Sequence, residues 1–157
     1  MVRAAVALGS NLGDRAAHLD FAISRLRLLL SNVLASSYYE TAPVGVGGSQ
    51  PAFLNAAAVG DTTLPPRDLL AALLGLERDR GRERPFPAAP RTLDLDLVLY
   101  GDAILDEPGL AVPHPRFRDR RFVLQPLAAI APHLRDPVTG KTMKELLDRL
   151  AVIPGDR

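Results

Sequence analysis

The chain has 157 residues, of which 47% are hydrophobic and 24% charged, with a formal net charge of +1 and no cysteine. That length suits one domain with its own core, the composition is globular, and the small net charge supplies no global field to draw in nucleic acid or membrane. Without cysteine, disulfides, thiolate metal sites and cysteine nucleophiles are all excluded.

Residues 2–8 read as a short buried strand that starts almost at the first residue, with no signal peptide before it and no apolar run long enough to span a bilayer; a cytoplasmic protein is expected. The strand ends at Gly9-Ser10-Asn11. Asp14 is placed to cap a helix over 15–30, whose Leu19, Ala22, Ile23, Leu26, Leu29 and Leu30 recur at helical spacing. Residues 33–40 read as a second strand and 41–51, rich in glycine and proline, as a long loop. Phe53 to Val59 forms a third strand. Asp61-Thr62-Thr63 breaks the chain before a helix with Pro65 and Pro66 in its first turn. That helix runs to Asp79, with Leu69, Leu70, Leu73, Leu74 and Leu76 on its inner side.

Residues 80–91 form a second long loop, and a strand follows at 92–100. Gly101-Asp102 turns the chain, 110–112 is a short strand, 116–120 a short helix, and 122–131 and 142–151 are two further helices. The order predicts an α+β fold, a ferredoxin-like βαββαβ core with an antiparallel sheet, two helices on one face and extra C-terminal helices over the other. No linker divides it, so 1–157 reads as a single domain.

The strand at 92–100 carries the most informative pattern, Asp94 and Asp96 inside an apolar run. Side chains alternate along a strand, so both carboxylates share one face and Leu93, Leu95, Leu97 and Leu99 the other. Carboxylates about 7 Å apart resist burial without a cation, and a pair of Mg²⁺ ions fits that spacing. A half-buried strand with one solvated polar face remains the alternative on pattern alone. Arg82, Arg84 and Arg91 lie in the loop just before this strand, and Arg120 and Arg121 in another connection. Arginine forks suit phosphate oxygens, and phosphoryl transfer needs cations around a carboxylate–metal centre; a solvated basic loop is the plainer reading of any one of them.

His114 lies between Pro113 and Pro115, which stiffen its turn. Phe53 and Phe122 each stand beside a loop and could sandwich a flat heterocycle. Asn55 shares a strand face with Phe53 and offers both donor and acceptor to such a ring. Gly9-Ser10-Asn11-Leu12-Gly13-Asp14 is neither a P-loop nor a dinucleotide fingerprint and reads as a tight turn with a helix cap. No paired histidines suit zinc, and no Gly-x-Ser-x-Gly elbow is present.

Together these stretches resemble the 6-hydroxymethyl-7,8-dihydropterin pyrophosphokinase family. The resemblance rests on Ala7-Leu8-Gly9-Ser10-Asn11-Leu12-Gly13, Gln50-Pro51-Ala52-Phe53-Leu54-Asn55-Ala56-Ala57, Glu77 with Gly81-Arg82-Glu83-Arg84, Pro90-Arg91-Thr92-Leu93-Asp94-Leu95-Asp96, Val112-Pro113-His114 and Arg120-Arg121-Phe122-Val123-Leu124, in family order over nearly the whole chain. It implies transfer of the β,γ-pyrophosphoryl group of ATP to the pterin hydroxymethyl oxygen, leaving AMP, in folate biosynthesis. It also implies that Asp94 and Asp96 hold two Mg²⁺ ions, with Arg82 and Arg91 serving catalysis. Thr41, Ala42, Val44, Phe53, Asn55 and Phe122 fall where the family builds its pterin pocket. Glu77, Arg82, Arg84, Arg91, Leu97, His114 and Arg120 fall on the ATP side. The two long loops would be lids that exclude water.

The sequence departs from the family pattern at Pro87-Ala88-Ala89-Pro90-Arg91, where many members carry Arg-Trp-Gly-Pro-Arg, at Leu74, and at Gly109 and Ala111. The extra prolines should stiffen that loop. A non-catalytic relative that binds pterin or ATP is the second reading, and the intact aspartate pair opposes it. A ferredoxin-like RNA binder would expose stacking aromatics; with only five Phe and three Tyr, and aspartates on the 92–100 strand, the chain does not read as one. The expected partners are ATP and the pterin, with no nucleic acid and no membrane, and the expected state is a monomer or weak dimer.

Overall fold

The computed structural model describes residues 1–41, 52–81 and 92–150. Its elements, in chain order, are β1 (Val2–Ser10), α1 (Arg15–Leu29), β2 (Ser31–Ala35), β3 (Tyr39–Thr41), β4 (Phe53–Thr62), α2 (Pro66–Asp79), β5 (Asp94–Tyr100), β6 (Leu105–Glu107), β7 (Leu110–Val112), a 3₁₀ turn at Phe117–Asp119, α3 (Arg121–Ile130) and α4 (Met143–Arg149). The main sheet runs β2-β4-β1-β5, with β3 also paired to β4, and every pairing is antiparallel. β2 and β3 together take the place of one strand of the expected βαββαβ core, and the ferredoxin-like α+β expectation holds.

Local chemistry explains the helix ends. The Asp14 carboxylate accepts from the Ala17 N–H at 3.1 Å and starts α1. Pro65 and Pro66 open α2, where a missing N–H costs nothing. Thr142 and Glu145 cap α4 reciprocally.

The sheet is covered on both faces. On one, Leu19, Ala22 and Leu26 of α1 and Leu69 and Leu73 of α2 bury Ala4, Val6, Leu8, Ala56, Ala58, Leu95 and Leu97. On the other, Phe117, Val123, Leu124, Leu127, Met143 and Leu146 bury Ala5, Ala7, Ala57, Val59, Val98 and Leu99. Fully burying each large side chain contributes about 1.5–3 kcal/mol. The central strands are alanine-rich because both of their faces must admit a helical layer. Gly60 has the same cause: a Cβ there would stand 2.8 Å from the Leu30 Cβ at the end of α1.

Several boundaries differ from the sequence reading. β1 runs through Gly9 and Ser10, because both pair with β4 and Gly9 also pairs with Asp94. The expected strand at 33–40 is two strands, and β4 extends through Asp61 and Thr62. Leu74 is on the outer side of α2, 41% exposed, while Glu77 takes a buried position. Leu99 does not share a face with Leu95 and Leu97. Leu97 pairs with Val6 and Leu99 with Ala5, so Val98 is an extra residue in β5, a bulge that turns Leu99 to the α3 side.

Candidate active site

The bulge divides β5 into two parts. Before it, Asp94 and Asp96 are half-buried while Leu95 and Leu97 are buried. The carboxylates therefore lie on the face that α3 and α4 cover elsewhere. On β1 the same face carries Ala5, Ala7 and Gly9; on β4 it carries Phe53, Asn55, Ala57 and Val59. Gly9 pairs with Asn55 on one side and Asp94 on the other, and Ala7 with Ala57 and Asp96. Small residues on the central strand thus form a floor between Asn55 and the aspartates, two strand spacings or roughly 10 Å apart.

Asn55 is 1% exposed. Its amide nitrogen donates to the Tyr39 carbonyl at 3.3 Å and to the Thr41 hydroxyl at 2.8 Å, both on β3. Its Oδ1 is buried and accepts no hydrogen bond within the described residues. Such an acceptor is costly unless a ligand donates to it. Phe53, partly exposed, pairs with Thr41 at the same end of the β3–β4 ribbon. Phe122 opens α3 and packs into the second core, only 8% exposed, with the Arg120 guanidinium 5.4 Å from its ring centroid.

On the other flank, Asp94 and Asp96 border a cavity of about 480 Å³ with Glu77, Leu74, Leu97 and His114. Glu77 is 3% exposed, and its Oε2 accepts from the Leu95 N–H at 2.7 Å, between the two aspartates. One of its oxygens is therefore committed to holding β5 against α2. Leu97 sits mainly in the first core. The backbone N–H of His114 donates to the Val98 carbonyl at 2.8 Å, anchoring its turn on the bulge. His114 Nδ1 accepts from the Arg116 N–H at 3.1 Å, which leaves the imidazole proton to Nε2. Burial, then the Arg120 and Arg116 cations, lower the His114 pKa, and Asp94 opposes them. His114 is accordingly neutral near pH 7.

Thr41, Phe53 and Asn55 thus sit on the β3–β4 ribbon, Glu77, Asp94, Asp96, Leu97 and His114 gather around β5, and Arg120 and Phe122 stand together at the start of α3, which packs mainly on β4. Ala42, Val44, Arg82, Arg84 and Arg91 lie outside the described residues. Sequence reasoning passed over Glu107, Leu110 and Leu70 of the cavity wall; β6 carries Glu107 there, and its three residues give no periodic signal. Leu74, Gly109 and Ala111, three of the departures from the family pattern, line the same cavity.

Among the described residues no three His, Asp or Glu side chains cluster as a closed metal cage. Two hard carboxylates on one face suit Mg²⁺, which takes one or two protein carboxylates and completes its shell from water and substrate phosphates. No helix among the described residues is long and apolar enough to cross a membrane.

The family model for 7,8-dihydro-6-hydroxymethylpterin-pyrophosphokinase matches residues 5–132. A protein of Pseudomonas aeruginosa named 2-amino-4-hydroxy-6-hydroxymethyldihydropteridine pyrophosphokinase is 44% identical over 92% of this chain and 90% of its own. One of the same name from Methylorubrum extorquens is 41% identical over 96% of this chain and 94% of its own. Among solved structures, a Plasmodium falciparum HPPK-DHPS chain with pteroate superposes with a TM-score of 0.73 over 94% of this chain at 14% identity, a likeness of fold. The chain spans 42% of that longer protein. With one family model covering most of the sequence and full-length relatives above 40% identity, the chain belongs to the 7,8-dihydro-6-hydroxymethylpterin-pyrophosphokinase family.

Proposed function

We infer that the protein transfers the β,γ-pyrophosphoryl group of ATP to 6-hydroxymethyl-7,8-dihydropterin, giving AMP and the pterin diphosphate, in folate biosynthesis. In this reaction the hydroxymethyl oxygen bonds to the β-phosphorus, the bond from that phosphorus to the α,β-bridging oxygen breaks, and the hydroxyl proton is released. The observation that carries the site assignment is the shared sheet face: an orphaned buried amide acceptor on β4 and two half-buried carboxylates on β5, separated by a glycine–alanine floor.

On this reading the pterin lies by Phe53, Asn55, Thr41 and Phe122, with Asn55 Oδ1 accepting from a ring N–H or amino group. By resemblance, Ala42 and Val44 would complete that pocket. The triphosphate lies over Asp94 and Asp96. Two Mg²⁺ ions held there would neutralise the phosphate charge. Arg120 of the described residues, and Arg82, Arg84 and Arg91 by resemblance, supply guanidinium forks to the same oxygens. Glu77 steadies β5, Leu97 supports the floor, and neutral His114 offers its Nε2–H to an anionic ligand. Holding both substrates on one rigid face converts a bimolecular encounter into an oriented reaction.

The described elements pack on one main sheet and its two helical layers, with the β6–β7 pair joined to the first core through Leu110 and Val112, which supports a single domain over 1–157. A monomer or weak dimer in the cytoplasm, with no nucleic-acid or membrane partner, is the accompanying proposal. The test is AMP formation from Mg-ATP by the purified protein. AMP that requires both the pterin and Mg²⁺ is expected. Binding of either substrate without AMP would mark a non-catalytic relative and overturn the assignment.

A further inference from the structure

We propose that Arg15 is a positioning residue for the pterin side of the site, acting by clamping both strands that frame it. The inference rests on the pterin reading given above. Arg15 is the first residue of α1, and no motif in the sequence singles it out. Its Nη1 donates to the Ala52 carbonyl at 2.8 Å, and its Nη2 to Glu40 Oε2 at 2.6 Å. Ala52 immediately precedes Phe53, and Glu40 immediately precedes Thr41. Thr41 and Phe53 are themselves the last paired residues of the β3–β4 ribbon. One guanidinium therefore spans the open end of that ribbon.

The ribbon needs such a tie. β3 has three residues and, among the described residues, pairs only with β4, and so short a strand is marginal by itself. Yet β3 fixes the orientation of Asn55, since Tyr39 O and Thr41 Oγ1 both accept from its amide. If β3 shifts, the amide loses the partners that aim Oδ1 toward the site. Glu40 pairs with Leu54, so its side chain leaves the sheet on the α1 face, opposite Thr41, Phe53 and Asn55. Arg15 thus works from behind the sheet and touches no substrate.

The energetics separate this role from a structural one. Arg15 and Glu40 are 28% and 59% exposed, and a surface pair of this kind contributes little to global stability. The planar fork reaches two acceptors in fixed directions, which an ammonium does only in part. Loss of the clamp should act on one substrate rather than on folding.

The experiment compares the full chain with Arg15→Ala and Arg15→Lys. Readouts are KM for pterin and for ATP, kcat, thermal midpoint, and the Asn55 side-chain amide resonances in a ¹⁵N-labelled NMR spectrum. Arg15→Ala is expected to raise the pterin KM about fivefold to tenfold, as loss of a charge-assisted hydrogen bond allows. The ATP KM and thermal midpoint stay near wild type, and the Asn55 amide resonances shift. Arg15→Lys recovers part of the KM. An unchanged pterin KM with unmoved Asn55 resonances would overturn the proposal. So would parallel rises in both KM values with a lowered midpoint, which would make Arg15 merely structural. If wild-type protein formed no AMP, the functional reading would fail. The NMR shift would still decide whether Arg15 sets Asn55.

Discussion

The face of the sheet that α3 covers is two regions built on the same three strands. At one end Val59, Ala5, Val98 and Leu99 meet Phe117, Leu124, Leu127 and Met143 in a dry core. At the other, Asn55 and Gly9 lie four residues along β4 and β1, and Asp96 and Asp94 lie three and five residues from Leu99 on β5. The first region is built from apolar side chains removed from water. The second keeps a buried acceptor with no partner among the described residues, and two carboxylates on a half-exposed face. A fold can hold such costly groups because the adjoining core supplies the stability, and a bulge of one residue at Val98 marks the border. Replacing residues on either side should therefore separate function from stability.

The largest effect is expected at Asp96→Ala. Pyrophosphoryl transfer should fall by about a thousandfold or more, as losing electrostatic stabilisation at developing charge does, with a thermal midpoint close to wild type. Steady-state AMP release and a melting curve check this; activity within tenfold of wild type would sink the proposed role of the pair. Leu124→Ala acts in the opposite sense. Leu124 is fully buried, and its truncation should cost about 3 kcal/mol in urea unfolding while leaving kcat at low temperature unchanged.

A smaller effect concerns the turn that closes the α3–α4 layer. Asp136 is fully buried, with the Arg118 guanidinium, the Thr139 hydroxyl and the Val138 N–H on its carboxylate. Burial pushes its pKa up, but these partners outweigh it and hold the value at about 2. An unfolded aspartate titrates near about 3.9. The pair therefore stabilises the fold fully above that pH, and the contribution, on the order of 2 kcal/mol, is lost as pH falls toward 2. Urea midpoints measured from pH 5 to pH 2 should converge for wild type and Asp136→Asn. A constant gap across that range would show that Asp136 is not ionised in the folded state.

The smallest expected change is at Thr41→Val, which removes one acceptor from the Asn55 amide and leaves Tyr39 O. The pterin KM should rise about fivefold, with stability little altered, since the net value of one hydrogen bond is about 1 kcal/mol. A rise in the ATP KM instead would place the pterin elsewhere.

Much of this arrangement was legible in the residues. Asp14, Pro65 and Pro66 mark helix starts by their own chemistry, and the helices appear there. The spacing of Asp94 with Asp96, and of Phe53 with Asn55, places each pair on one face because a strand has a period of two. The reading failed where a non-local contact decided the outcome. Gly9 and Ser10 look like a turn until β4 and β5 pair with them. Leu99 keeps its alternation until a bulge reverses it. Glu77 enters the sequence reading only through the family resemblance, and its bond from the Leu95 N–H depends on how α2 packs on β5. Arg15 carried no signal at all, because both of its partners lie on a ribbon 25 to 37 residues away.

The sequence by itself determined the family, the strand faces and the carboxylate pair, since motif order and backbone period are local properties of the chain. Only the tertiary structure decided that β1 lies between β4 and β5, so that Asn55 and Asp94 flank Gly9, and that α3 covers one half of the face and leaves the other to the site. Strand order and bulge position are set by hydrogen bonds and burial between residues far apart in sequence, and no local pattern carries that information.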